Sequence, residues 1–171
     1  MSEVVVFNHV TLDGVMQAPG RPDEDRRGGF EHGGWAASRM DVVVGAAAAE
    51  GMARSGSLLL GRRTFEGFAA FWPKQRGNPF TDVLNNTQKY VASRTLKEPL
   101  PWSNSTLLKG DPGDAVARLK QQPGKDLVVL GSGRTRRLFS DGGALAALRL
   151  LDTKTSTTGV VIATYQLAEP A

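Results

Sequence analysis

Short apolar runs rich in valine and leucine recur along the chain, and most are bounded by glycine, proline or polar residues. Runs of this length and composition are typical of buried strands. They predict strands at residues 3–10, 57–60, 89–93, 105–108, 127–130, 145–151 and 159–165. The polar segment 153–158 is expected to join the last two strands as a hairpin.

Helix-type patterns fill several gaps between these strands. They predict helices over residues 41–54, 64–71 and 111–122. Asp41 and Asp111 are the expected caps of the first and third, because an aspartate oxygen accepts from the free N–H groups of a helix start. Pro112 suits the first helical position, where no amide hydrogen is needed.

Strands that alternate with helices, followed by a closing hairpin, predict an α/β fold with a mostly parallel sheet and an antiparallel C-terminal hairpin. Such sheets bind ligands beyond the carboxyl ends of their strands. Residues 11–40 are rich in turns and too long for a simple connection. We therefore expect a lid or a binding loop there.

The composition limits the classes of function. The chain has 171 residues with 40% hydrophobic content, which predicts one domain over residues 1–171. It has no cysteine, which excludes disulfides, thiolate zinc sites and thiol nucleophiles and fits the cytoplasm. Two isolated histidines, His9 and His32, predict no metal site. We expect neither a signal peptide nor a membrane partner, since no basic N-terminal region or long apolar run is present.

The charge is uneven along the chain. Residues 1–60 carry five basic and eight acidic side chains, and residues 61–171 carry sixteen and nine. The basic part suggests an anionic partner, but a solvated surface without a partner is the favoured interpretation at so small a net charge. Nucleic acid is the less favoured anion, because basic and aromatic residues are not interleaved as in a stacking surface.

The end of the second predicted strand carries Gly61, Arg62, Arg63 and Thr64. Glycine lets the backbone turn sharply, and Thr64 is the expected cap of the next helix, whose first N–H groups would face outward. The two arginines add charge that can grip a phosphate. An ordinary capped turn with solvated arginines is the equally weighted alternative.

Two further strand ends carry similar chemistry. Gly131, Ser132 and Gly133 follow a strand that is apolar throughout, although a lone G-x-G is usually only a turn. Ser93 and Arg94 leave another strand and could hold a phosphate or a ribose, but an ordinary polar strand end is the favoured interpretation of this segment by itself.

One carboxylate stands near the start of the long loop. Asp13 could orient a substrate or relay a proton. Its neighbour is a glycine, and this dipeptide is more commonly a turn. Both interpretations remain open from the residues alone.

Taken together, these segments resemble the bacterial dihydrofolate-reductase-like family, which is related to the reductase domain of riboflavin biosynthesis. The resemblance covers nearly the whole chain in order. It is carried by TLDGVMQAPG (11–20), GGFEHGGW (28–35), LGRRTFE (60–66), KYVASRTL (89–96), LGSG (130–133), LRLLD (148–152) and TGVVIATY (158–165).

The resemblance implies an NADPH-dependent reductase that passes hydride to a C=N or C=O carbon of a small heterocyclic substrate. It assigns Gly61, Arg62, Arg63 and Thr64 to the cofactor phosphates. Ser93 and Arg94 would flank the adenosine 2′-phosphate, and Gly131, Ser132 and Gly133 would pack against the pyrophosphate. Asp13 would lie near the substrate as the catalytic residue.

The chain departs from the family after the third glycine turn. In the family this turn opens a helix and then a strand that ends in a second similar turn, whereas here residues 131–133 are followed almost at once by RRLF at 136–139. The comparison predicts that one helix and one strand are deleted after Gly133. A catalytically impaired nucleotide-binding module is therefore an alternative function, and a homodimer could supply the lost sheet contacts. A basic nucleic-acid-associated protein is a less favoured third possibility.

Overall fold

The computed structural model describes residues 2–77, 79–124, 126–131 and 146–168. The chain groups into two compact units. The first combines Met1–His9 with Gly51–Arg134, and the second combines Val10–Glu50 with Thr135–Ala171. The assignment of residues 1–171 to a single domain stays a prediction.

The first unit contains a five-stranded sheet in which every neighbouring pair of strands is parallel. Its strands are β1 (Val4–Phe7), β2 (Ser55–Gly61), β3 (Gln88–Ala92), β4 (Ser105–Leu107) and β5 (Asp126–Leu130). Their spatial order is β1-β5-β2-β3-β4. The parallel sheet predicted from the apolar runs is confirmed.

The described residues also form four α-helices. They are α1 (Val42–Arg54), α2 (Arg62–Phe71), α3 (Pro79–Asn86) and α4 (Pro112–Gln121). The caps of α1 and α4 are confirmed, since Asp41 accepts from two amides of the first turn of α1 and Asp111 from two of α4. The sequence pattern did not predict α3, because its eight residues carry only a short apolar stripe.

The core of the first unit lies between the sheet and the helices α2 and α3. Its buried members are Leu58, Leu60, Phe65, Leu84, Val91, Trp102 and Val128. Leu127 and Val128 are consecutive on β5 and both buried. Because neighbouring strand residues point to opposite faces, both faces of β5 are covered, as its uninterrupted apolar sequence predicted.

Helix α2 begins earlier than the sequence predicted. Gly61 is its N-cap, with extended φ and ψ of −75° and 158°, and Arg62 is the first helical residue. The expectation that Thr64 caps this helix is therefore wrong, and Thr64 lies inside the first turn. The strand runs directly into the helix, since Gly61 is the last residue of β2 and Arg62 the first of α2.

In the second unit the C-terminal hairpin is confirmed as an antiparallel pair. Its strands are β6 (Leu148–Thr155) and β7 (Val161–Leu167). Strand β6 reaches further toward the turn than predicted, and β7 reaches further toward the C-terminus. Threonine favours extended backbone, and because the side chains are exposed, the strands need no alternation of apolar residues. The predicted deletion of a helix and a strand after Gly133 lies outside the described residues.

Candidate functional site

The parallel register brings the predicted strand ends to one edge of the sheet. Gly61 at the end of β2 is paired with Ala92 at the end of β3, so Arg62 and Ser93 leave adjacent strands. On its other side β2 pairs with β5, which ends one residue before Gly131. The three segments chosen from sequence thus follow three neighbouring strands.

The start of α2 is open to a ligand. Gly61 makes no side-chain capping hydrogen bond, so no side chain of the cap residue satisfies the first-turn N–H groups. No atom lies within 4 Å of the position that a Cβ on Gly61 would occupy. Free N–H groups and the helix dipole together attract an anion such as a phosphate.

Gly131 lies directly against this helix start. Its φ is +72°, and a Cβ built there would stand 3.1 Å from Thr64 Oγ1. The position therefore requires glycine both for backbone conformation and for space. This contact joins two of the predicted cofactor segments.

Three arginines surround the same edge. Arg62, Arg63 and Arg94 are exposed, and none forms an ion pair within the described part of the chain. A guanidinium group binds phosphate through two parallel hydrogen bonds, so these side chains suit an anionic ligand.

Ser93 has a structural role in the loop that follows β3. Its Oγ accepts hydrogen bonds from Thr95 N at 3.1 Å and Leu96 N at 3.0 Å. The oxygen already accepts these two backbone hydrogen bonds, so Ser93 would contact a ligand by donating its hydroxyl hydrogen. Ser132 and Gly133 lie outside the described residues.

Asp13 belongs to the second unit and stands in a tight turn. Thr11 Oγ1 donates to Asp13 Oδ1 at 2.6 Å, and Gly14 N donates to Thr11 O at 2.9 Å. Gly14 has a φ of +85°, which favours glycine. The interpretation of this dipeptide as a turn is confirmed, and the role of the exposed carboxylate toward a substrate stays a prediction.

The end of β1 also reaches this edge, and the sequence hypothesis did not include it. Phe7 pairs with Leu130, so Asn8 and His9 leave β1 beside Gly131. The rings of Phe7 and His9 meet edge to face with centroids 5.4 Å apart. Only the register reveals this neighbour, because nothing in the local sequence distinguishes His9.

Within the described ranges, no group of three or more histidine, cysteine, aspartate or glutamate residues could hold a metal ion. The helices that are described lack the length and apolar character needed to cross a bilayer.

The fold and this edge define an α/β protein whose parallel strands end at an uncapped helix start with exposed arginines around it. The chain belongs to the RibD C-terminal domain family, whose model matches residues 2–151. This confirms the family resemblance, and it indicates a reductase, a class that generally uses a nicotinamide cofactor. No curated protein matches the sequence.

Two solved structures share the fold. A protein described as a riboflavin biosynthesis protein from Shewanella sp. PV-4 aligns with a TM-score of 0.64 and 18% identity, over 99% of this chain and 100% of that one. A pyrimidine reductase-like protein from Corynebacterium diphtheriae aligns with a TM-score of 0.61 and 9% identity, over 99% and 93%. At such identities the likeness shows the fold alone, and that fold is the dihydrofolate-reductase-like one predicted.

Proposed function

We propose that the protein is an NADPH-dependent reductase that transfers hydride to a C=N or C=O carbon of a small heterocyclic substrate. The observation that carries this proposal is the uncapped start of α2, which lies against Gly131. A helix N-terminus beside a glycine turn, flanked by exposed arginines, fits a phosphate-bearing dinucleotide.

The proposed cofactor contacts follow from the positions of these groups. The amides of Arg62, Arg63 and Thr64 would hold the pyrophosphate, with Gly131 giving the close approach. Ser93 and Arg94 leave the adjacent strand and would hold the 2′-phosphate that distinguishes NADPH from NADH. When bound, the cofactor supplies the hydride, and the chain positions it and excludes competing reactions.

Asp13 is the proposed catalytic carboxylate. Its hydrogen bond from Thr11 fixes one carboxylate oxygen. The carboxylate could orient a ring N–H of the substrate or pass a proton to it. Replacing Asp13 with asparagine should lower turnover while leaving NADPH affinity unchanged, because the substitution removes the charge and not the cofactor contacts.

Calorimetric titration of NADPH and NADH tests the cofactor assignment. Arg62→Ala and Arg63→Ala should each weaken both dinucleotides, whereas Arg94→Ala should weaken NADPH alone by about tenfold, or about 1.4 kcal/mol. Arg118→Ala is the matched control, because this exposed arginine lies on α4. Absence of NADPH binding by the unaltered protein at millimolar concentration, or equal affinities in Arg94→Ala and Arg118→Ala, would contradict the assignment.

A catalytically impaired nucleotide-binding module is the second candidate function. The departure from the family pattern after residues 131–133 favours it, since the family continues there with a helix, whereas this sequence reaches RRLF (136–139) almost at once. This module would bind NADPH with the same arginine dependence but would not oxidise it with any of a panel of pterin-like and pyrimidine-like rings. Loss of the reduced-nicotinamide absorbance with any ring would exclude it. We place either activity in the cytoplasm.

A further inference from the structure

The chain between β1 and α1 forms a folded loop rather than an open connection. Ala36 N donates to Pro19 O at 3.0 Å, and the Trp35 indole N–H donates to Gln17 O at 2.9 Å. Gln17 is only 5% exposed, and its amide group donates to two backbone carbonyls of residues 25–27. These contacts tie the two ends of the loop together and fix the residues between them.

This loop carries a concave surface with a volume of about 370 Å³. Its lining residues are Pro22, Arg26, Gly29, Phe30 and Glu31. The volume falls in the range of small-molecule sites, which combine apolar walls with a few polar groups. The lining offers one cation, one carboxylate and one aromatic ring.

In the part of the chain that the structure describes, other charged residues of this loop form ion pairs or hydrogen bonds within it, whereas the charged residues that line the surface do not. Arg27 pairs with Asp25, and the Glu24 carboxylate accepts from two backbone N–H groups. Arg26 and Glu31 make no ion pair and no side-chain hydrogen bond within the described residues. Their polar groups are available to a ligand.

Phe30 gives the surface its apolar wall. The side chain is half-buried, and its ring meets that of His32 edge to face at a centroid distance of 5.8 Å. This packing holds the ring in place, and a held aromatic ring is a suitable wall for a planar ligand.

We propose that this surface binds a small planar molecule that carries both an anionic group and an amino group. The Arg26 guanidinium would bind a carboxylate or phosphate through two hydrogen bonds, and the Glu31 carboxylate would accept from the amino group. Phe30 would stack against the ring. None of these residues is among the proposed cofactor or catalytic groups, so the proposal does not depend on the reductase assignment.

Binding can be tested without any dinucleotide, by titrating small probes into ¹⁵N-labelled full-length protein. The probes are 4-aminobenzoate and 4-aminophenyl phosphate, with benzoate and aniline as analogues that lack one polar group. At least one of the first two should shift the amide signals of Gly29, Phe30 and Glu31 and bind about tenfold more tightly than benzoate or aniline. The comparison of carboxylate with phosphate identifies the preferred anion.

Substitutions connect the binding to the two charges. Arg26→Gln and Glu31→Gln should each weaken the preferred probe by about tenfold. Arg21→Gln is the matched control, because Arg21 lies in the same loop but does not line the surface. The proposal fails if neither aminophenyl probe shifts these amides at millimolar concentration, or if Arg26→Gln binds as well as Arg21→Gln.

Discussion

At the scale of single residues, Gly131 shows how a backbone position can couple two segments of the site. The loop after β5 needs a positive φ there, and the first turn of α2 leaves no room for a side chain. Two separate requirements therefore exclude a side chain at this one residue, namely its backbone conformation and its contact with Thr64. Gly110 offers a natural comparison, since its φ is +78° but no atom lies within 4 Å of a Cβ placed on it.

We predict that Gly131→Ala destabilises the protein more than Gly110→Ala does. Gly110→Ala should cost about 1 kcal/mol for the left-handed backbone alone. Gly131→Ala should add the contact with Thr64 and also weaken NADPH binding. Urea unfolding measures the first effect and calorimetry the second.

The double variant Thr64→Ala/Gly131→Ala separates conformation from contact. It should recover part of the lost stability, because the atoms nearest the new Cβ are removed. Equal destabilisation by the two single glycine substitutions would show that the contact with Thr64 carries no energy.

Lys89 is a buried charge outside the proposed site. Its side chain is fully buried, and Nζ donates to Leu84 O at 2.7 Å, Asn85 O at 3.3 Å and Thr87 O at 2.6 Å. Nζ also lies 4.4 Å from the centroid of the Trp102 ring. The lysine thus satisfies carbonyls at the C-terminal end of α3, and burial lowers its pKa to about 8.

We predict that the free energy of unfolding rises with pH between about 8 and 10.5, because the folded protein releases the Lys89 proton while the unfolded chain still holds it. Lys89→Met should lose this rise and should also be less stable, since three carbonyls lose their donor. Lys109→Met, at an exposed lysine, is the control. Urea unfolding at several pH values measures the slope, and an unchanged slope in Lys89→Met would contradict the assignment.

At the scale of secondary-structure elements, Asp41 connects a helix to a hairpin turn within the second unit. Its Oδ1 accepts from Val43 N and Val44 N at the start of α1. Its Oδ2 accepts from Thr157 N, Thr157 Oγ1 and Thr158 N. These hydrogen bonds hold the pKa of Asp41 well below its ordinary value of 3.8.

We predict that Asp41→Ala destabilises the protein more than Asp111→Ala. Asp111 caps α4 alone, and its loss should cost about 1 kcal/mol. Asp41→Ala removes a cap and also the hydrogen bonds that fix the turn between β6 and β7. Thermal unfolding of the two variants at neutral pH gives the comparison.

The same carboxylate contributes to acid sensitivity. Its stabilising effect is complete above pH 3.8 and is lost as the pH falls further, because the unfolded chain takes up the proton first. As the pH falls below 4, Asp41→Ala should therefore lose less stability than the unaltered protein does. If the free energies of unfolding of the two proteins fall in parallel as the pH is lowered, Asp41 makes no such contribution.

At the scale of the whole molecule, β1 leaves one side of the parallel sheet without a strand partner among the described residues. Val4, Val5 and Val6 are 37%, 41% and 58% exposed, and no charged residue interrupts them. Exposed apolar edges of this kind pair readily with other strands. We propose that a second copy of the chain can occupy this edge as a homodimer.

We predict that Val6→Lys weakens self-association, because a charge on an edge strand opposes strand pairing. Val83→Lys is the control, since this valine is 43% exposed but lies on α3, where the backbone is already paired. Sedimentation at several protein concentrations measures the effect. A monomer at every concentration, or equal association of both variants, would disprove pairing through β1.

Local chemistry was sufficient to predict most of the elements. Asp41 and Asp111 identify helix starts because a cap needs only an oxygen and amides two or three residues away. The β5 sequence identifies a strand covered on both faces because each of its residues is apolar. Glycines and arginines follow three of the predicted strands. Because parallel strands end at the same edge of a sheet, the sequence also predicted that these residues lie at one edge.

The tertiary structure decided what depends on partners distant in sequence. The contact of Gly131 with Thr64 follows from the register of β2 and β5. The burial of Lys89 follows from its contact with α3, a helix that the sequence analysis did not predict. Local hydrogen bonds and apolar periodicity are set by neighbouring residues, so the sequence by itself determined the strand ends and their charges. Side-chain contacts are set by packing, so only the fold showed that Gly61 rather than Thr64 caps α2 and that Gly131 closes against it.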